Sequence, residues 1–375
     1  MDADKKRLIT AVSIMVGTAI GAGVLGIPYV AAQAGFWVAV AYMVILGAII
    51  LTVNLYLGEI SLRTKGDHQI PGYARRYLGK KGMVVLEFAT VFGIYSAIVA
   101  YLLGIGESLS FLFFRNSNYT VVIGILVGLV MSSLLWRGIK ALKKYEKIGV
   151  SIILFLIFLI FFIFIKNIDP ANLYYFNIGN VFLPFGVILF ALMSFHAIPE
   201  LEIILHNKEK LMKKALIIGT LIPIIFYIMF AFIVVGLKGI ATPEIATLAL
   251  GPFFILLGIF TMFTSYLVLG NALETNFRFD ERMKKGKAWF LTSIIPIFIF
   301  LFIRLFDYFS FIRILSIGGV VSGGLIAVSV LVMAKIAKKK GNRKPEYSIP
   351  INWFIIGFLS LIFILGVLKE LIGIF

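Results

Sequence analysis

Of the 375 residues, 61% are hydrophobic and only 14% are charged, whereas soluble domains carry about 25% charged residues. That apolar content exceeds what one water-facing core can hide, so lipid must be the solvent for most of the surface. The absence of cysteine excludes disulfides, thiolate metal centres and a cysteine nucleophile, and His68, His196 and His206 lie too far apart in sequence for a metal-binding motif. No cofactor is expected. The formal net charge of +17 would suit nucleic acid, but the placement of the basic residues answers a different question.

Eleven apolar stretches are long enough for helices crossing roughly 30 Å of hydrocarbon: residues 8–34, 38–62, 83–114, 119–136, 148–165, 181–205, 215–237, 251–273, 289–303, 309–336 and 353–371. The first follows Lys5, Lys6 and Arg7, is too long for a signal-peptide core, and is expected to be retained. Connections between stretches alternate in basic content. The N-terminus and segments 63–81, 137–147, 208–214, 278–287 and 335–344 are rich in Lys and Arg, and the others hold little beyond Arg115, Lys166, Lys238, Arg304 and Arg313. Under the positive-inside rule this pattern predicts a cytoplasmic N-terminus and an external C-terminus in a multi-pass cell-membrane protein. The charge is thus a topology signal, with anionic lipid as its secondary partner and no nucleic acid.

Span one contains Gly17-Thr18-Ala19-Ile20-Gly21-Ala22-Gly23-Val24-Leu25-Gly26-Ile27-Pro28. Glycine is costly inside a helix and proline removes a donor, so this helix is expected to break near mid-membrane. Gly17 and Gly21 also form a GxxxG pair, which elsewhere signifies close helix packing. The match of Gly21, Gly23 and Gly26 to a dinucleotide fingerprint is rejected, because no strand precedes it and no acidic residue follows before Glu59. Span six carries a second interruption, Met193-Ser194-Phe195-His196-Ala197-Ile198-Pro199-Glu200.

Spans one and six occupy equivalent places if the chain is a single transporter domain of two five-helix repeats, about 8–166 and 181–336, with an extra helix at 352–374. Because five is odd, the second repeat is inverted. Interrupted spans at matching positions of inverted halves point to a mid-membrane transport site. Amides near Gly23, Val24 and Leu25 would receive a carboxylate. Carbonyls near Thr18, Ala19 and Ile20, and near Met193, Ser194 and Phe195, suit an ammonium group. Glycines at 21 and 23 would let backbone approach the ligand. The expected substrate is a zwitterion.

The run GTAIGAGVLGIPYVAAQAGF resembles the opening span of the hydroxy and aromatic amino acid permeases, in the amino acid/auxin permease group of the amino acid-polyamine-organocation superfamily. The span-six run FALMSFHAIPELE is similar to that group's Phe-x-His-x-x-Pro region, and Glu59 with PGYARRYLGKKG resembles its second-span exit. The resemblance implies an all-α integral membrane protein with a LeuT-like 5+5 inverted repeat and an eleventh transmembrane helix. It also implies alternating access and substrate bound between spans one, three, six, eight and ten.

Beside that picture, Thr261, Thr264 and Ser265 share one face of span eight. Either they bond back to their own helix, or with carbonyls near Ala19 and Ala22 they coordinate a cation. His196 reads as a substrate or proton group, or as a neutral imidazole bonding an orphaned carbonyl. Phe195 would stack on a substrate or simply pack. Glu59, Glu107 and Glu274 lie near span ends, where snorkelling or pairing explains them. Gly318, Gly319, Gly323 and Gly324 in span ten mark a flexible gate or a tight interface.

The resemblance is divided on coupling, since the hydroxy and aromatic permeases are generally proton-driven and several animal relatives use sodium. Some proton-coupled members of the superfamily substitute a lysine in mid-span five, and residues 148–165 contain no ionisable group. Sodium rather than the proton is therefore the expected coupling ion, with His196 carrying the proton alternative. The expected function is an ion-coupled amino acid symporter, not an enzyme. A channel and a membrane-embedded enzyme are the rival classes.

Overall fold

The computed structural model describes residues 3–66, 68–137, 142–279 and 282–372. Parts of two basic connections, 138–141 and 280–281, and the end of the extra helix lie outside them. Every regular element among the described residues is helical. Among the described residues ten helices are long and apolar enough to cross a membrane, and the pair Asp4–Ala19 and Ala22–Ala34, bent by 55° at its break, supplies an eleventh.

Span one is thus Ala3–Ala19 followed by Ala22–Ala34. Span two is Phe36–Leu62, span three Ile70–Phe114, span four Thr120–Arg137 and span five Leu142–Phe164. Span six is Leu183–Leu192 followed by Ala197–Ile204. Spans seven and eight are Met212–Lys238 and Pro252–Phe279. Spans nine, ten and eleven are Lys285–Leu305, Phe311–Lys340 and Trp353–Ile372.

Boundaries move outward where polar ends remain helical. The largest difference is in span three, which starts at Ile70 rather than 83. Pro71 suits a first helical turn, where no amide partner is lost. Ile70, Pro71, Tyr73, Ala74 and Tyr77 are buried on one face while Arg75 and Arg76 are exposed. Gly79, at φ 79°, then kinks this amphipathic segment into the span proper.

Large apolar side chains such as Ile45, Leu126, Phe155, Ile225, Phe298 and Phe358 are exposed around the helix bundle, a surface that hydrocarbon tolerates and water does not. Inside, the helices fall into two groups. Spans one, two, six and seven pack on one another, as do three, four, eight and nine, and span ten touches two, three and six. The glycines of span ten make this contact close. A Cβ on Gly318 would meet Ser96 of span three at 2.6 Å, and one on Gly323 would meet the Met193 sulfur at 2.8 Å. Residues Gly319–Gly323 form a turn of π-helix at that seam.

One end of the bundle carries the basic connections. There the segment between spans ten and eleven is strapped across span two. The Glu59 carboxylate, with its side chain 3% exposed, accepts from Arg63 Nε at 2.8 Å and Lys338 Nζ at 2.9 Å. It also accepts from Ser348 Oγ and the Ile349 amide, both at 2.8 Å. Tyr56 donates to the Pro350 carbonyl, and Tyr347 donates to the Leu55 carbonyl. Burial, reinforced by the Glu59 charge, pushes the Tyr347 hydroxyl well above its usual pKa and keeps it a donor.

Pairing rather than snorkelling is therefore what holds Glu59, and Glu274 likewise lies 3.8 Å from Arg278. Removing one partner of a buried ionic cluster costs about 3–5 kcal/mol. Glu59→Ala should lower the thermal unfolding midpoint of the purified protein. Asp307→Ala, at an exposed ion pair, should leave it unchanged.

Candidate functional site

Both interruptions expected from glycine, proline and histidine are breaks in the structure. In span one the helix stops at Ala19 and restarts at Ala22, with Gly21 extended at φ −134° and ψ −140°. No side chain caps the restarted helix, so its first amides, those of Gly23, Val24 and Leu25 among them, have no intrahelical acceptor. In span six the helix stops at Leu192 and restarts at Ala197, leaving Met193, Ser194, Phe195 and His196 unwound.

Three polar side chains that sequence reading did not single out hold these breaks. The Tyr227 hydroxyl of span seven, fully buried, contacts the carbonyl oxygens of Ala19 at 2.8 Å and Ala191 at 2.9 Å. Asn54 of span two, also fully buried, donates from Nδ2 to Ser194 Oγ and to Thr220 Oγ1, each at 3.2 Å. Tyr101 of span three lies against the first break, its hydroxyl 2.8 Å from where a Cβ on Gly21 would stand, beside Ser265 of span eight.

The glycines owe their bareness to these neighbours. A Cβ on Gly23 would lie 2.6 Å from the Ala191 Cα, so what approaches Gly23 closely is the backbone of span six. A Cβ on Gly21 would lie 2.8 Å from the Tyr101 hydroxyl and 3.5 Å from Ser265 Oγ. Gly26 similarly admits Ile312 of span ten.

Of the three span-eight hydroxyls, that of Ser265 lies beside the break, 3.5 Å from where a Cβ on Gly21 would stand. Thr261 donates to the Leu257 carbonyl at 2.9 Å, and Thr264 donates to Phe260 and Thr261 carbonyls at 3.1 and 3.0 Å. Donation of this kind leaves the hydroxyl lone pairs free to meet a cation. Phe195 is fully buried. His196 ends the unwound segment, is half-buried, and makes no capping bond. The Ala19 and Ala191 carbonyls at the two breaks are met by Tyr227.

Exposure around the site is asymmetric. Eleven of the thirteen residues in Ala22–Ala34 are buried. In the half of span one that leads to the basic end, the buried side chains are Ala11, Met15, Val16 and Ala19. Thr10, Ser13, Gly17 and Thr18 are partly exposed on that half, as are Thr264, Ser265 and Asn271 on span eight, with Thr275 exposed beyond them. Partly exposed polar residues therefore extend from the first break toward the basic end on both helices, interspersed with apolar ones such as Val12, Ile14, Val268 and Ala272. The N-terminal turns of span one are anchored there by Asp4 to Lys208 at 2.9 Å and by Arg7 to the His206 carbonyl.

Residues 4–372 match the model of the tryptophan/tyrosine permease family. Over 236 residues the chain is 24% identical to glutamine transporter 2 of Aliivibrio fischeri, covering 61% of each protein. Over 233 residues it is 23% identical to tyrosine-specific transport system 1 of Haemophilus influenzae, covering 62% of this chain and 58% of that one. These matches span about three fifths of each relative's length.

The packing predicts a graded response at the two glycines. A methyl at Gly23 meets rigid backbone, an overpacking that costs about 1–3 kcal/mol, whereas one at Gly21 meets a side-chain hydroxyl, that of Tyr101. Gly23→Ala should lower the thermal midpoint more than Gly21→Ala does, with membrane insertion retained in both.

Proposed function

The chain belongs to the tryptophan/tyrosine permease family, and we propose that it is a secondary transporter of neutral amino acids. The observation that carries this reading is the meeting of two broken spans at a polar seam between the helix groups. A free amino acid offers a carboxylate to the uncapped amides of Gly23, Val24 and Leu25 and an ammonium to carbonyls at the helix ends. The names of the relatives, a glutamine and a tyrosine transporter, favour substrates with an uncharged side chain.

In this reading the two halves are LeuT-like inverted repeats working by alternating access, with the basic end cytoplasmic and the C-terminus external. The partly exposed polar residues on the basic side of the first break, beside a buried Ala22–Ala34, support reading this as a state open to the cytoplasm. A coupling sodium would sit among Ser265, Thr264 and Thr261 oxygens and the Ala19 and Ala22 carbonyls, since hard cations take oxygen ligands. His196 is the group for the proton alternative.

Counterflow in proteoliposomes tests the class: labelled glutamine or tyrosine should accumulate against unlabelled internal substrate and saturate. Flux that rises linearly without saturation would indicate a channel, and no exchange with any of the twenty amino acids would refute the substrate class. Thr264→Ala combined with Ser265→Ala should weaken sodium-dependent binding while His196→Gln leaves ion dependence unchanged. Uptake driven by a pH gradient without sodium, and lost in His196→Gln, would make the proton the coupling ion.

A further inference from the structure

Helices end with carbonyls that have no amide four residues further on. Ala19 is the last residue of the first half of span one, and Ala191 is the penultimate residue of the first half of span six. Within a membrane protein each such carbonyl needs an N–H, an O–H or a cation. The Gly21 amide reaches the Ala19 carbonyl at 3.1 Å, and one side-chain group serves both ends. The Tyr227 hydroxyl has a single proton and two carbonyl acceptors, at 2.8 and 2.9 Å, so that proton is shared between them. Tyr227 belongs to a third helix, span seven, which packs along both halves of span one.

We propose that Tyr227 is the positioning residue of the site: its O–H group occupies the point between the two helix ends to which an ammonium group or alkali cation would otherwise be drawn, and thereby fixes the spacing of the two breaks. The proposal rests on the amino acid-site reading above. It has two consequences. The substrate ammonium must use the other unwound carbonyls, and any coupling cation must sit on the Ser265 side of the first break. The shared proton also joins the half of span one that leads to the basic end to the half of span six that leads to the opposite end, so tilting of one is felt by the other.

Tyr227→Phe keeps the ring and deletes the donor. In proteoliposomes its KM for the best-exchanged amino acid should rise about tenfold, the factor for loss of one well-placed interaction. The maximal rate per folded protein should stay within about twofold, which separates positioning from loss of folded material. In detergent, sodium chloride should stabilise the variant over choline chloride more than it stabilises the wild type, because the Ala191 carbonyl is then bare, that of Ala19 keeps only the Gly21 amide, and the pair recruits the cation. p-Aminophenylalanine at position 227, which restores a donor at the same place, should return both readouts to wild-type values.

An unchanged KM with an unchanged salt response would overturn the proposal and leave Tyr227 a packing residue. Failure of p-aminophenylalanine to rescue would overturn it equally. If the wild type exchanges no amino acid, the substrate reading fails by itself, and the salt response of Tyr227→Phe still decides whether the hydroxyl fills a cation's place.

Discussion

Hydrocarbon cannot hydrogen-bond to a peptide group, and the rest of the structure follows from how that constraint is met. Among the described residues nine spans meet it with a single run of helix, though Gly79 kinks span three and spans nine and ten each carry a π-helical turn. Spans one and six do not, because glycine and proline in one and a four-residue unwound segment in the other leave carbonyls and amides unpaired. Such groups survive only where protein or a polar ligand meets them. The two breaks are accordingly placed together, at the seam of the two helix groups, with Tyr227, Asn54 and Tyr101 supplied from spans seven, two and three.

Much of the fold was legible in the sequence because its signals are local. A stretch of some twenty apolar residues, an alternating count of Lys and Arg, and a cluster of glycines ahead of Pro28 each speak through nearby residues. The breaks could be located to within a residue or two for the same reason. What could not be read was the set of groups that satisfies them. Tyr227 lies 208 residues from Ala19, in a chain with 15 Tyr and 36 Phe, and nothing around it distinguishes a hydroxyl that meets a helix end from one that faces a headgroup.

The glycines show the same limit from another side. Their lack of a Cβ was legible, but its beneficiary was not: at Gly23 it is the backbone at Ala191, and in span ten it is Ser96, Gly186 and Met193. A hydroxyl triplet on span eight likewise looked uniform along the helix, yet Ser265 stands beside Gly21 while Thr261 and Thr264 donate to their own turn. At the basic end the strap over Glu59 ties span ten to span two, so the helix that closes against spans three and six is anchored at one end and packed through glycine at the other.

The central claim is that the paired breaks form a water-reachable amino acid site. Since the chain has no cysteine, Ser265→Cys places a single thiol beside Gly21 on an unreactive background. The account predicts that this thiol reacts with a small water-soluble reagent applied from the basic end, and that a transported amino acid slows the reaction. A thiol that stays unreactive, or that reacts at the same rate with every amino acid present, would contradict it.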